Sequence, residues 1–309
     1  MKFLQKKIDW VSGKGLLPSL VIGEEKIIRK FFRSWIFVII ITCISACSST
    51  RLIYTLAKEF IQDEITYFFN LNEEDRVLMN QKVSEMIAWH RKSMLPTYAA
   101  YLTNIADKIK AGQFSYTEIN KITTNGGFLI EKTVNGLTPF ASKFLIQHQE
   151  VKSIEFMELK MMKRQQERIN ELSIPEDDLF EDRLDRLTSG FERFFGTLSN
   201  EQVILLEAYT RETLYDKKVR FNNRTQLQRV FIKFLKTKPT EEALTIYLNK
   251  LILRGYEITN STHKDFMKAS LVRFQRLLVN MLEISSQKQR DKTINKILIY
   301  AEDFKSFSK

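Results

Sequence analysis

Apolar residues recur at intervals of three and four along most of the chain beyond residue 47. Val77, Val83, Ile87 and Met94-Leu95 share one face of a helix predicted to continue past Pro96 through Tyr98, Tyr101, Leu102, Ile105 and Ile109. Val203, Leu206, Tyr209 and Thr213-Leu214 mark a second helix, and Leu271, Phe274, Leu277-Leu278, Met281-Leu282 and Ile284 a third. Ile294, Ile297-Leu298, Ala301 and Phe304 mark a fourth. This is the period of helices with one apolar stripe. Alternation of period two is nowhere sustained. Asn125-Gly126-Gly127 and Asn135-Gly136 are the exceptional turn-like pairs, and either could close or bend a helix instead.

Start signals punctuate the stripes. Ser115-Tyr116-Thr117-Glu118, Ser173-Ile174-Pro175-Glu176, Ser199-Asn200-Glu201-Gln202 and Ser286-Gln287-Lys288-Gln289 fit the capping box, in which a serine hydroxyl and a Glu or Gln satisfy early backbone N–H groups reciprocally. Asn72-Glu73-Glu74-Asp75, Pro239-Thr240-Glu241-Glu242 and Thr262-His263-Lys264-Asp265 are looser versions. With only 10 Gly and 5 Pro, the expectation is an all-α fold, an irregular antiparallel bundle of about eight or nine helices. A weak boundary is expected near Leu172–Asp182. The segment Leu52, Ile53, Tyr54, Leu56, Phe60, Ile61, Ile65, Tyr67, Phe68 and Phe69 is apolar around much of its circumference. It reads either as a buried core helix or as a surface that rests on lipid.

The first 46 residues follow a different pattern. An apolar run, Ile36 to Ile44, is preceded by Lys26, Arg29, Lys30 and Arg33 and followed by Ser45, Ala46 and Cys47. A basic region, a short apolar stretch and small residues make a secretory signal, and the run is about half of the roughly 20 residues that span a bilayer. Ile44-Ser45-Ala46-Cys47 resembles the lipobox of bacterial lipoproteins. Residues 1–46 are therefore expected to be a signal peptide, and 47–309 a mature helical domain. Cys43 would leave with the signal, so Cys47 would be the one thiol retained, free to carry covalent diacylglyceryl and acyl lipid, with no other cofactor. Ser48 and Ser49 follow where an Asp would resemble an inner-membrane retention signal, which points to the periplasmic face of the outer membrane. Residues 1–25 make the basic region unusually long, and translation is expected to start within about residues 16–28.

Charge sharpens this division. The formal net charge is +11, with eight Lys/Arg against three Asp/Glu in residues 1–46 and 40 against 34 in the remainder. An excess of that size spread along helices is not the dense basic face of a nucleic-acid binder.

Motifs for chemistry are sparse. His90, His148 and His263 sit in no metal-ligand spacing. A nucleophile elbow, a phosphate-cradling glycine loop and a dinucleotide fingerprint are all missing. Glu176-Asp177-Asp178 reads as the acidic first turn of a helix. Arg164, Arg168, Arg183, Arg186, Arg193 and Arg211 read as solvated pairs with acids at helical spacing. Trp89-His90-Arg91 is the most distinctive cluster, a packed tryptophan with polar neighbours or a weak candidate contact surface.

Several pieces together resemble a family of uncharacterised all-helical lipoproteins of Gram-negative bacteria. They are Cys47-Ser48-Ser49 with Arg51-Leu52-Ile53-Tyr54, Trp89-His90-Arg91 leading to Leu95-Pro96-Thr97-Tyr98, and Leu198-Ser199-Asn200-Glu201-Gln202. Gln289-Arg290 and Tyr300-Ala301-Glu302-Asp303-Phe304 complete the set. The resemblance implies fold and location without an activity. The expected protein is a non-enzymatic scaffold or partner-binding lipoprotein, with the membrane and an envelope protein as partners and neither nucleic acid nor a small-molecule substrate. The alternative is a binder of an anionic envelope ligand, a lipid headgroup or cell-wall polymer. A hydrolase is a third reading and would need carboxylates converging on a cleft.

Overall fold

The computed structural model describes residues 49–308, with side chains from residue 56 onward. The signal region, Ile44, Ser45, Ala46 and Cys47 lie outside the described residues. Among those described there is no strand. Eleven α-helices run in order: α1 (Ser49–Phe68), α2 (Glu73–Ser93), α3 (Leu95–Lys110), α4 (Tyr116–Gln147), α5 (Val151–Leu172), α6 (Glu176–Phe195), α7 (Asn200–Glu212), α8 (Asp216–Leu235), α9 (Glu241–Arg254), α10 (Thr262–Glu283) and α11 (Gln287–Ser308). A single 3-10 turn, Gly255–Glu257, follows α9.

The helix number exceeds the expected eight or nine, and one of the additional helices has a local cause. Pro96 has no N–H to donate and its ring crowds the preceding turn, so the stripe expected to run through it breaks at Met94 and restarts at Leu95. Both residues at the break are fully buried, so the periodicity carries on while the backbone does not.

Most caps form where the sequence places them. Ser199 and Gln202 make a complete capping box, and Ser286 and Gln289 exchange the same two bonds at 3.2 and 3.0 Å. Asn72, Ser115 and Thr240 each accept from the amide three residues on. Two expectations fail by two residues. Pro175, not Ser173, precedes the first residue of α6, and the Ser173 hydroxyl instead donates back to the Ile169 carbonyl at the end of α5. At α10 it is Asn260 that accepts from the Thr262 amide, at 3.0 Å.

Two apolar cores hold the helices. One gathers Met79, Val83, Leu145, Ile154, Met157, Ile232, Leu235 and Leu244 from α2, the end of α4, α5, α8 and α9. The other gathers Ala106, Ile109, Ile119, Phe191, Phe195, Leu206, Met281 and Ile297 from α3, the start of α4, α6, α7, α10 and α11. The 32-residue α4, about 48 Å long, joins them, with Ile119 in one core and Leu145 in the other. Neither turn-like Asn-Gly pair interrupts it. The expected boundary near 172–182 falls where the chain crosses between cores, from α5 to α6. It crosses back from α7 to α8, and Ser48–Lys309 form one compact unit.

The first turn of α4 also ties down α3. Glu118 accepts from Lys108 Nζ at 2.6 Å and Lys121 Nζ at 2.7 Å, and these bonds hold its carboxyl down at about 2 from an ordinary 4.5. A carboxylate with a depressed folded-state pKa stabilises the fold above its unfolded value and loses that contribution as pH falls through the folded value. Acid titration of stability between about pH 4.5 and 2 is therefore expected to flatten in Glu118→Gln, read from denaturant midpoints across that window. An unchanged slope would show that the pair contributes nothing to stability.

Candidate functional site

Trp89, His90 and Arg91 lie together near the end of α2, yet each turns to a different neighbour. The Trp89 ring sits against α4, so close that a Cβ on Gly136 would lie 1.9–2.9 Å from its ring carbons. His90 stands between Trp89 and Tyr98, with ring centroids 6.5 and 5.6 Å away, and burial lowers its pKa. Arg91 donates through Nε to the Phe307 carbonyl at 2.8 Å, reaching the last helix. The cluster thus fastens α2 to α4 and α11. His148 donates through Nδ1 to the Phe144 carbonyl, and His263 stacks on Phe266, so the three histidines remain separate. No group of three metal-ligating side chains occurs among the described residues, and none of their helices is long and apolar enough to cross a membrane.

The arginines expected as solvated helical pairs divide. Arg186 pairs with Asp182 at 3.3 Å and Arg168 with Glu171 at 2.6 Å, as the spacing implies. Arg164 instead reaches Glu64 on α1 at 2.5 Å. Arg211 lies over the Phe180 ring. Arg183 departs furthest. It is half-buried and donates through Nε and Nη2 to the hydroxyl of fully buried Thr213, at 3.1 and 2.5 Å. It forms no ion pair among the described residues, and burial lowers its pKa against the smaller opposing pull of Tyr209 and Asp216.

Around Arg183 the helices α5, α6 and α8 leave two adjoining depressions, of about 300 and 220 Å³. Leu172, Arg183 and Lys217 line both. Arg168, Arg220 and Arg224 complete the charge of the larger, and Arg186 and Lys218 that of the smaller. Seven cations therefore face two carboxylates, Glu176 and Asp216. Asp216 is buried and already matched: Arg273 Nη2 lies 3.0 and 2.9 Å from its two oxygens, and the Ser270 hydroxyl donates at 3.2 Å. Glu176 accepts from the Tyr215 hydroxyl. Arg220 donates to Ser270 at 2.5 Å and lies over the Phe266 ring. Lys217 and Arg224 pair with no carboxylate among the described residues.

Cations converging on a concave surface repel one another, and that repulsion is relieved by an anion rather than by water alone. Guanidinium forks suit the paired oxygens of phosphate and carboxylate. The sequence carries a signal for this site in hindsight. Between Asp216 and Glu241 it holds eight Lys/Arg and no acid, with Lys217, Arg220 and Arg224 at helical spacing. The mild net charge of the whole domain conceals that run, because acids elsewhere in the chain offset it.

A family of unknown function (DUF6279) matches residues 67–253, more than half of the chain. The matched span contains every residue lining the basic depressions, while α10 and α11 follow it. No curated protein matches the chain, and no solved structure does.

Proposed function

The chain belongs to this family of unknown function, so no activity comes with membership, and we propose from the site itself a non-catalytic envelope lipoprotein that binds an anionic ligand. The observation that carries this reading is the convergence of seven cations on depressions whose two carboxylates are already engaged. Phosphate-bearing headgroups and anionic cell-wall polymers share the chemistry that such a surface recognises. The same engagement speaks against the hydrolytic alternative, because a carboxylate locked to Arg273 is poorly placed to move protons.

The address in this reading is the periplasmic face of the outer membrane, with diacylglyceryl and acyl chains on Cys47. Support for it comes from the lipobox sequence and from α1, the first helix after the cysteine. There Phe60 is 65% exposed and Leu56 also faces solvent, an apolar surface suited to lie beside an anchor or an envelope partner.

Two measurements test the two halves. For the site, the probes are vesicles of anionic phospholipid and soluble inorganic polyphosphate, one for each source of ligand. Lys217→Glu with Arg224→Glu is expected to weaken binding about tenfold at low ionic strength, and wild-type binding to fall as salt rises. Salt-independent binding would remove electrostatics as the mechanism. For the address, Cys47→Ala is expected to abolish N-terminal acylation and release the protein from membranes. Retention of the variant in the membrane fraction would replace the lipid anchor with an uncleaved apolar segment.

A further inference from the structure

A larger cavity lies away from the basic depressions. It has a volume of about 890 Å³ and is formed by α3, α4, the end of α9, the 3-10 turn, α10 and α11. Its walls are apolar, and several of them face solvent: Ile130 is 62% exposed, and Met267, Leu271 and Phe274 are exposed as well. Protein interiors seldom keep voids much larger than a water molecule, and soluble surfaces seldom keep contiguous apolar patches without an occupant. Thr123 and Phe274 line this cleft and also an inner cavity of about 430 Å³, so the two adjoin there. The inner cavity is walled by Ile109, Ile119, Phe191, Phe195, Leu282 and Ile297, all buried members of one core.

Charge is placed asymmetrically along this path. Lys264 and Lys268, one turn apart on α10, line the outer cleft, Arg186 is the one charged residue lining the inner cavity, and no carboxylate lines either. Lys264 Nζ stands 5.6 Å from the Tyr256 ring centroid, held at the rim. An apolar channel with paired ammonium groups at its mouth matches a molecule with an alkyl chain and one anionic end. We infer that the cleft binds a long-chain carboxylate or comparable anionic amphiphile, with the head at Lys264 and Lys268 and the chain passing Phe274 into the inner cavity. Arg186 lines both the inner cavity and the smaller basic depression, but Lys264 and Lys268 line neither depression, and Lys217 and Arg224 line neither cavity, so the two sites can be altered independently.

Two glycines make the inference testable without unfolding the protein. Gly127 on α4 lines the outer cleft and Gly190 on α6 the inner cavity, and a Cβ at either would meet nothing within 4 Å. Larger side chains there fill the channel while replacing glycine inside a helix, which itself favours the helix. Full-length protein in nanodiscs of zwitterionic lipid is photolabelled with a diazirine-bearing long-chain fatty acid, and the labelled peptides are mapped by mass spectrometry. Label is expected on α4, α6 and α10. Gly190→Leu is expected to cut labelling of the inner cavity at least about tenfold with thermal stability retained. Lys264→Gln with Lys268→Gln is expected to weaken labelling by the acid, but not by the matching alcohol, about three- to tenfold. The Lys217→Glu and Arg224→Glu variants are expected to label like the wild type, so failure of the anion site and of this cleft are read separately. Label confined to other surfaces, equal labelling in Gly190→Leu, or equal response to acid and alcohol would overturn the inference. So would exclusion of the probe combined with chemical crosslinks from Lys264 or Lys268 to residues 1–46 or to a second copy.

Discussion

Gly136→Ala is expected to destabilise the helical domain by about 1–3 kcal/mol, whereas Gly127→Ala in the same helix is expected to stabilise it by about 0.5–1 kcal/mol. Both glycines sit inside α4, where alanine is favoured by propensity alone. The difference is the neighbour. A Cβ at 127 meets open space, but one at 136 would lie 1.9 and 2.0 Å from two Trp89 ring carbons, well inside contact distance. The indole would have to move, and with it the anchoring of α2 on α4. Denaturant unfolding of the two single variants gives the signs directly. Trp89→Phe combined with Gly136→Ala should recover part of the loss, because the smaller ring leaves room for the methyl group, and a double-mutant cycle measures that coupling. Equal effects of alanine at 127 and 136 would show that Trp89 has a second place to go.

Asp216→Asn is expected to move stability and ligand affinity in opposite directions. Asp216 and Arg273 have side chains only 12% and 19% exposed, and they are paired at 2.9 Å. Removing the charge from one member of a largely buried pair leaves the other guanidinium short of a partner, with Glu212 3.9 Å away. The expected cost is about 2–4 kcal/mol, somewhat below the range for a fully buried pair. The same change removes a negative charge from the basic depression and so raises its net charge by one. Affinity for anionic vesicles or polyphosphate should rise by about two- to fivefold at low salt, and its salt dependence should steepen. A variant that loses stability and affinity together would indicate that Asp216 shapes the site rather than opposing its ligand.

How much of this was legible beforehand differs from feature to feature. The caps at Asn72, Ser199, Thr240 and Ser286 were readable because they involve residues three apart in the chain, and the backbone geometry that joins them is local. Leu206 and Ile297, placed on apolar stripes, are buried as expected, while Val77, Leu271 and Ile284 from the same kind of stripe are exposed. A stripe shows which residues prefer burial; it does not say how wide the partner surface will be. The break at Met94 leaves no mark on the apolar period, which runs on through it. At Ser173 the capping pattern is present in the sequence, but Pro175 competes for the same helix start.

The candidate sites were hidden for a deeper reason. Arg168, Arg183, Lys217 and Arg224 belong to three helices, and their meeting depends on how α5, α6 and α8 cross. Gly136 and Trp89 likewise looked like a possible turn and a possible contact surface until α2 packed on α4.

By itself the sequence determined the elements: helices throughout the described residues, most of their ends, and the apolar faces from which the cores are drawn. Those are set by hydrogen bonds and side-chain periods that span a few residues. Only the tertiary structure decided which charges converge, which glycine touches tryptophan and where apolar walls stay apart. Such outcomes depend on distances between helices remote in the chain, and no local interaction encodes them.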